Sequence, residues 1–171
     1  MRKKAATPME RQVSPTERLE RAWQKWKDAL VGLRDADFES QIYRQWNLKD
    51  VTGHVFAYLH LALRHVQSYQ KRKRLASPRA PSYSYFNRRE AARLKRVPLT
   101  QLRADLNATY REPCALLPTL TDTDLKKQFS AQWTNSNYKT TLRYLLRETT
   151  EHMRVHAAEV HAWRERERVG R

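Results

Sequence analysis

The chain has 171 residues and carries 34 Lys and Arg against 18 Asp and Glu, a formal net charge of +16. Its length suffices to bury one continuous core, and only three glycines leave little material for the many tight turns of an all-β fold. The single cysteine, Cys114, excludes an intrachain disulfide. The composition therefore predicts one all-α domain in a cytoplasmic protein.

No run approaches the roughly 20 apolar residues that span a bilayer, and the first twelve residues, MRKKAATPMERQ, lack the apolar stretch of a signal peptide. We therefore expect no membrane partner. The positive charge would raise the local concentration of anionic partners, but it does not identify one.

Residues 1–13 are basic or polar without apolar periodicity and are predicted to form a mobile tail, whereas residues 14–167 are predicted to form the domain. Ser14, Pro15 and Glu17 form a capping-box pattern that predicts the start of the first helix. Its apolar residues recur at steps of three and four, at Leu19, Ala22, Trp23, Trp26, Ala29, Leu30 and Leu33.

A second helix is predicted to begin after Asn47, which is placed to cap it with Asp50 three residues later. Its inward face contains Val51, His54, Val55, Tyr58, Leu61, Ala62 and His65. The pattern fades in the basic run from Lys71 to Arg74.

Residues 75–97 form a long connection with a predicted short helix from Asn87 to Lys95. A third helix is expected from Leu99 to Leu117, kinked at Pro113, and a fourth from Tyr138 to Arg166 after the polar stretch 119–137. A connection this long lets the second and third helices run parallel. The predicted fold is a four-helix bundle of up-down-down-up order with a long crossover.

Two histidines interrupt the apolar stripe of the fourth helix at a spacing of four residues, His152 and His156. Helical residues four apart lie on one face about 6 Å apart, so both imidazoles can reach one ion. His54 interrupts the stripe of the second helix in the same way. Three inward histidines predict a divalent metal site, although hydrogen-bonded core histidines are the alternative.

Three imidazoles leave coordination positions free for water or substrate, as in catalytic sites. Tyr58, one turn after His54, and Glu148, one turn before His152, are candidates for orienting a ligand or transferring a proton. Their alternatives are a core tyrosine and a surface glutamate. His60 and His161 are expected in solvent, and His65, roughly 16 Å along the helix from His54, at the surface or rim.

The run from Trp46 to His54, WNLKDVTGH, together with His152-xxx-His156, resembles the DinB-like superfamily, nearest its DfsB-type branch. Tyr85 to Asn87 and the segment ending at Trp163 are also similar, and the resemblance covers residues 14–165. It implies the predicted helix order and a metal ion held by His54, His152 and His156, with Zn or Ni favoured and Fe or Mn as further choices.

The resemblance implies an enzyme acting on a small reactive molecule, in detoxification or stress resistance. Relatives include transferases and isomerases that use small thiols, and the DfsB-type branch includes a hydrolase that opens a reactive cyclopropane. The residues that follow His156 do not show the glycine–glutamine pattern of some thiol-transferase members. The sequence therefore favours a hydrolase or a thiol transferase without deciding between them.

The segment from Lys71 to Arg96 contains ten basic residues against one acidic residue, Glu90, interleaved with Tyr83, Tyr85 and Phe86. This pattern suits phosphate contact and base stacking, and it supports an alternative function as a nucleic-acid-associated or scaffold module. A solvated crossover is the plainer interpretation. Exposed aromatic residues in the first helix would suit a homodimer.

Overall fold

The computed structural model describes residues 13–43, 45–130 and 139–169, with side chains through Glu167. The six α-helices of these residues are α1 (Pro15–Leu30), α2 (Leu48–Arg72), α3 (Tyr83–Leu94), α4 (Leu99–Leu116), α5 (Asp122–Lys126) and α6 (Leu142–Val169). Four short strands form two antiparallel pairs, β1 (Gln41–Tyr43) with β2 (Trp46–Asn47) and β3 (Gln128–Ser130) with β4 (Lys139–Thr141).

The four long helices form a ring in which α1 packs against α6, α6 against α2, α2 against α4, and α4 against α1. The apolar stripes predicted from sequence meet at the centre, where Trp26, Leu59, Leu102 and Met153 are almost fully buried. Burial of these faces is the main force that holds the bundle together. The predicted all-α four-helix bundle is confirmed.

The predicted capping box of α1 and the predicted Asn47 cap of α2 are both present, and the second is also a full capping box. Ser14 Oγ accepts from the Glu17 amide at 3.1 Å and the Glu17 carboxylate accepts from the Ser14 amide at 2.8 Å. Asn47 and Asp50 exchange the same pair of hydrogen bonds at the start of α2. These bonds satisfy backbone amides that a helix start leaves free, so the local sequence determines where α1 and α2 begin.

The crossover between α2 and α4 contains α3, which begins four residues before the predicted short helix. Ser82 caps it by accepting from the Tyr85 amide at 3.2 Å. α3 packs closely on α2 because Gly53 has no side chain: a β-carbon there would lie 3.3 Å from the Leu94 β-carbon. The glycine thus brings α3 next to the helix that carries His54.

Several predictions about local structure were wrong. The polar stretch 119–137, for which no helix or strand was predicted, contains α5, capped by Thr121, and then β3, although residues 131–138 lie outside the described part. α6 begins at Leu142, since Lys139–Thr141 pair with β3 instead. Trp23 and Trp26 of α1 are buried inside the bundle, so they offer no exposed aromatic surface for a homodimer.

Two other predictions are affected by the limits of the described chain. The predicted mobile tail lies outside the described residues except for Val13. Within the described residues, each helix is either too short or too polar to cross a bilayer.

Candidate metal centre

Three histidines from two helices converge inside the bundle. The ring of His54 on α2 lies 4.6 Å from that of His152 and 5.1 Å from that of His156, centroid to centroid. The two α6 rings are 4.5 Å apart. One nitrogen from each ring lies within 4.8 Å of the others. The structure therefore brings together the three residues that the sequence predicted as ligands.

The fold explains this convergence in two steps. Spacing by four residues places His152 and His156 one above the other on the face of α6 that packs against α2. The capping box then begins α2 at Leu48, which sets His54 two turns into that helix. His156 is buried, whereas His54 and His152 are partly accessible, so the cluster is reachable from one side.

The environment keeps two of these imidazoles neutral. Burial first, and then the neighbouring His152 and His156, lower the pKa of His54 to about 3. Burial and the neighbouring His156 lower the pKa of His152 to about 4. Each neutral imidazole keeps one nitrogen with a free lone pair, which is the form that binds a metal ion.

Two further observations show that the residues present fit a divalent ion. Nε2 of His152 is buried and has no hydrogen-bond partner among the described residues, although buried nitrogens normally have one. Nδ1 of His156 lies 2.6 Å from a carboxylate oxygen of Glu159. A carboxylate on one ring nitrogen is the usual support of a metal-binding histidine, because it leaves the other nitrogen to the ion.

Aromatic rings hold the histidines in place. Trp46 of β2 meets the His54 ring edge-on with centroids 4.7 Å apart. Tyr43 of β1 stacks near His156 at 6.4 Å, with the ring planes 5° from parallel. The small β1–β2 hairpin therefore covers the triad on the side of the α2 start. The sequence indicated Trp46 only as part of a helix start.

Tyr58, a predicted catalytic residue, also contacts the triad. Its ring centroid lies 4.4 Å from that of His152 and 5.0 Å from that of His54. Its hydroxyl donates to Oδ1 of Asn87 on α3 at 2.7 Å. Burial, followed by the hydrogen bond with Tyr83, raises the pKa of Tyr58 well above its ordinary value. The phenol therefore stays protonated at neutral pH and can serve as a hydrogen-bond donor.

A cleft of about 350 Å³ opens beside Tyr58 and His152, between α2 and the first half of α6. Glu148, the other predicted catalytic residue, lines this cleft. Its side chain is 52% exposed and its carboxylate lies 3.7 Å from Arg147, a weak ion pair at the surface. The position of Glu148 suits contact with a molecule in the cleft.

The remaining histidines divide into two groups. His60 and His161 are exposed, as predicted. The prediction for His65 was wrong: it is only 2% exposed and lines the cleft. It does not belong to the histidine cluster, in agreement with its position about three turns along α2 from His54, but its side chain is buried rather than at the surface.

The basic segment differs from the predicted stacking surface in one respect. Nine of its ten basic side chains are exposed, and Tyr83 and Tyr85 are 47% and 45% exposed. Phe86, however, is buried against Tyr58, with ring centroids 5.4 Å apart, and cannot stack on a base.

Two residues of the site were missed in the sequence. Glu159 follows His156 by three residues, so helical spacing alone could have indicated their contact. Asn87 is separated from Tyr58 by 29 residues, and only the packing of α3 on α2 brings them together. A short local pattern could not have revealed that second contact.

The fold and the site together define a helical bundle of four long helices, in which three inward-facing histidines on two of the helices could hold one divalent ion. The model of the DinB superfamily matches residues 18–160. The chain belongs to the DinB superfamily. A search of curated protein sequences finds no significant match.

Several solved structures share this fold. One, titled Sibling Lethal Factor Precursor - DfsB, has a TM-score of 0.72 at 16% identity and covers 90% of this chain and 95% of its own. An uncharacterised protein of Escherichia coli UTI89 has a TM-score of 0.73 at 11% identity, with coverage of 92% and 96%.

A mycothiol-dependent maleylpyruvate isomerase has a TM-score of 0.67 at 13% identity and covers 85% of this chain. The chain spans 59% of the isomerase. At these identities the likeness to all three structures shows a shared fold alone.

Proposed function

We propose that the chain is a metal-dependent enzyme that acts on a small electrophilic molecule, either as a hydrolase or as a thiol transferase. One observation carries this proposal: three histidines converge beside an open cleft, and His152 belongs to both the cluster and the cleft wall. The proposed ligands are His54, His152 and His156. Zn or Ni suits three imidazoles best, with Fe or Mn as further choices.

A divalent ion held by the triad would polarise an electrophilic substrate or activate a water or thiol nucleophile. Glu148 is the proposed proton acceptor, because its carboxylate lines the cleft one helical turn from His152. Tyr58, whose phenol stays protonated, would turn its single O–H proton from Asn87 Oδ1 to the substrate or its leaving group when the substrate binds. Asn87 holds the Tyr58 hydroxyl in position, and Glu159 orients the His156 ring.

Membership of the DinB superfamily supports an enzymatic role, and the isomerase of similar fold uses a thiol according to its title. Removal of a reactive compound, in detoxification or stress resistance, is the physiological role that fits a small electrophilic substrate. The enzyme is proposed to work in the cytoplasm.

Metal content tests the proposal directly. Untagged protein is purified and its metals are measured by inductively coupled plasma mass spectrometry, beside His152→Ala, His156→Ala and Glu159→Gln. We expect near-stoichiometric metal in the wild type and none in the alanine variants. Glu159→Gln should bind the ion about 10- to 100-fold more weakly, because it removes the charged support of a ligand.

His161→Ala is the matched control, since this histidine lies on the exposed side of the same helix. It should keep its full metal content. Absence of metal from the wild type, even after divalent ions are supplied, would contradict the proposal.

A second candidate function is binding to nucleic acid, as an associated or scaffold module. It is favoured by the nine exposed basic side chains between Lys71 and Arg96, next to Tyr83 and Tyr85. These side chains could contact phosphates while the two tyrosines stack on bases.

A further inference from the structure

The cleft beside the triad differs in charge from the rest of the molecule. Among the described residues that line it, none is Lys or Arg, and two are acidic, Glu148 and Glu151. The chain as a whole has 34 Lys and Arg. An anionic ligand in this cleft would therefore meet carboxylates, and the nearest arginines, Arg147 and Arg154, are already paired with them.

The two carboxylates remain available to a ligand. Glu148 and Glu151 are 52% and 48% exposed, and each contacts an arginine of α6, at 3.7 Å for Arg147 and 2.8 Å for Arg154. Ion pairs this exposed contribute little, because water competes for both partners. A ligand cation in the cleft would therefore compete with only two weak ion pairs and could pair with either carboxylate.

The rim of the same cleft is apolar. Among the described residues, five large hydrophobic side chains are strongly exposed, and three of them line this cleft: Tyr83 at 47%, Tyr144 at 41% and Val155 at 54%. Leu61, Ala62 and Leu145 continue the apolar surface inward. Exposed apolar side chains that gather at one cleft indicate that the cleft binds a ligand with an apolar surface.

We infer that the cleft binds a small amine-bearing aromatic molecule, with its ammonium group at Glu148 and Glu151 and its aromatic body between Tyr83, Tyr144 and Val155. This inference rests on the proposed function only in taking the cleft as the substrate site. The volume of about 350 Å³ is at the small end of ligand pockets and admits one or two fused rings. Ligands that carry free carboxylates, including acidic thiols, bind poorly.

Three naphthalene probes of one shape test the inference: 2-naphthylmethylamine, 2-naphthalenemethanol and 2-naphthoate. Their dissociation constants are measured by isothermal titration calorimetry, with the protein as purified and again after chelation, because a carboxylate could bind a metal ion directly. In the chelated protein we expect the amine to bind about three- to tenfold more tightly than the alcohol, and the naphthoate to bind most weakly.

The paired variant Glu148→Gln/Glu151→Gln should abolish the preference for the amine over the alcohol. Glu20→Gln/Glu165→Gln changes the net charge equally at exposed positions outside the cleft and should keep the preference. Equal or tighter binding of naphthoate by the chelated protein would overturn the inference, as would loss of the preference in both paired variants.

These results are separable from the test of the proposed function. A protein that holds no metal but prefers the amine contradicts the proposed function and keeps the inference about the cleft. If the protein is purified with stoichiometric metal but binds naphthoate best once that metal is chelated, the proposed function stands and the inference about the cleft is contradicted.

Discussion

At the scale of single residues, the site depends on keeping imidazoles neutral in a partly buried cluster. Three histidines within 4.8 Å cannot all be protonated without strong mutual repulsion, and burial further disfavours the charged forms of His54 and His152. The neutral imidazoles can therefore bind a metal ion, and we expect acid to lower the stability of the folded chain.

We predict that the metal-free protein loses stability as the pH falls from about 6.5 towards 4. The unfolded histidines titrate near 6.5, whereas His54 and His152 in the folded chain have pKa values of about 3 and 4. Below 6.5 the unfolded chain therefore binds protons that the folded chain does not, so the free energy of unfolding decreases. Urea unfolding of chelated protein at pH 7.5, 6.5, 5.5 and 4.5 measures this decrease.

The variant His54→Gln/His152→Gln should show a clearly flatter dependence over the same range. His161→Gln serves as the control, since this exposed residue should leave the slope of the wild type unchanged. Parallel curves for the wild type and the paired variant would show that these histidines do not resist protonation.

At the scale of elements, the position of α3 determines much of the site. α3 supplies Asn87 to the Tyr58 hydroxyl and Tyr83 to the cleft, yet it packs on α2 largely through Gly53 and Leu94. Its capping residue explains where it begins, but its close approach depends on the missing side chain of one glycine.

Replacement of Gly53 by valine should therefore destabilise the protein by about 1–3 kcal/mol. The new β-carbon would lie 3.3 Å from that of Leu94, and the two methyl groups of valine need more space still. Thermal and urea unfolding measure the loss. Ala104→Val on the exposed side of α4 introduces the same side chain where it meets no core and should stay within about 0.5 kcal/mol of the wild type.

If Gly53→Val is as stable as Ala104→Val, then α3 can move away from α2 at no cost. The hydrogen bond from Tyr58 to Asn87 would then not constrain the site.

At the scale of the whole molecule, the charge is uneven. The net charge is +16, and nine exposed basic side chains lie in the segment from Lys71 to Arg96, while the described residues that line the cleft include two carboxylates and no Lys or Arg. The basic surface can therefore attract anionic partners at long range, while the cleft selects a cationic ligand.

We expect weak binding to a single-stranded oligonucleotide that depends steeply on salt. About five phosphate contacts would weaken the affinity roughly a hundredfold between 50 and 200 mM salt. Fluorescence anisotropy measures the affinity, and His152→Ala should leave it unchanged. Arg88→Gln/Arg96→Gln should weaken binding more than Lys25→Gln/Lys27→Gln, which removes equal charge from α1. Equal effects would assign the binding to net charge rather than to the basic segment.

Local signals in the sequence predicted the four long helices, the class of fold and the three histidines. The capping boxes at Ser14 and Asn47 act within three residues, and apolar periodicity selects the buried face of each helix, so neither needs information from distant parts of the chain. The triad could be predicted because His152 and His156 share one face of the fourth helix, and His54 interrupts the apolar stripe of the second helix.

Tertiary packing alone decided the surroundings of the triad. The β1–β2 hairpin places Tyr43 and Trp46 beside the histidines, α3 brings Asn87 to Tyr58, and His65 is buried against expectation. Tyr43 and His156, like Asn87 and Tyr58, lie far apart in the chain, so their contacts depend on how the elements pack. Periodicity indicates which face of a helix is buried, but not which residues cover it.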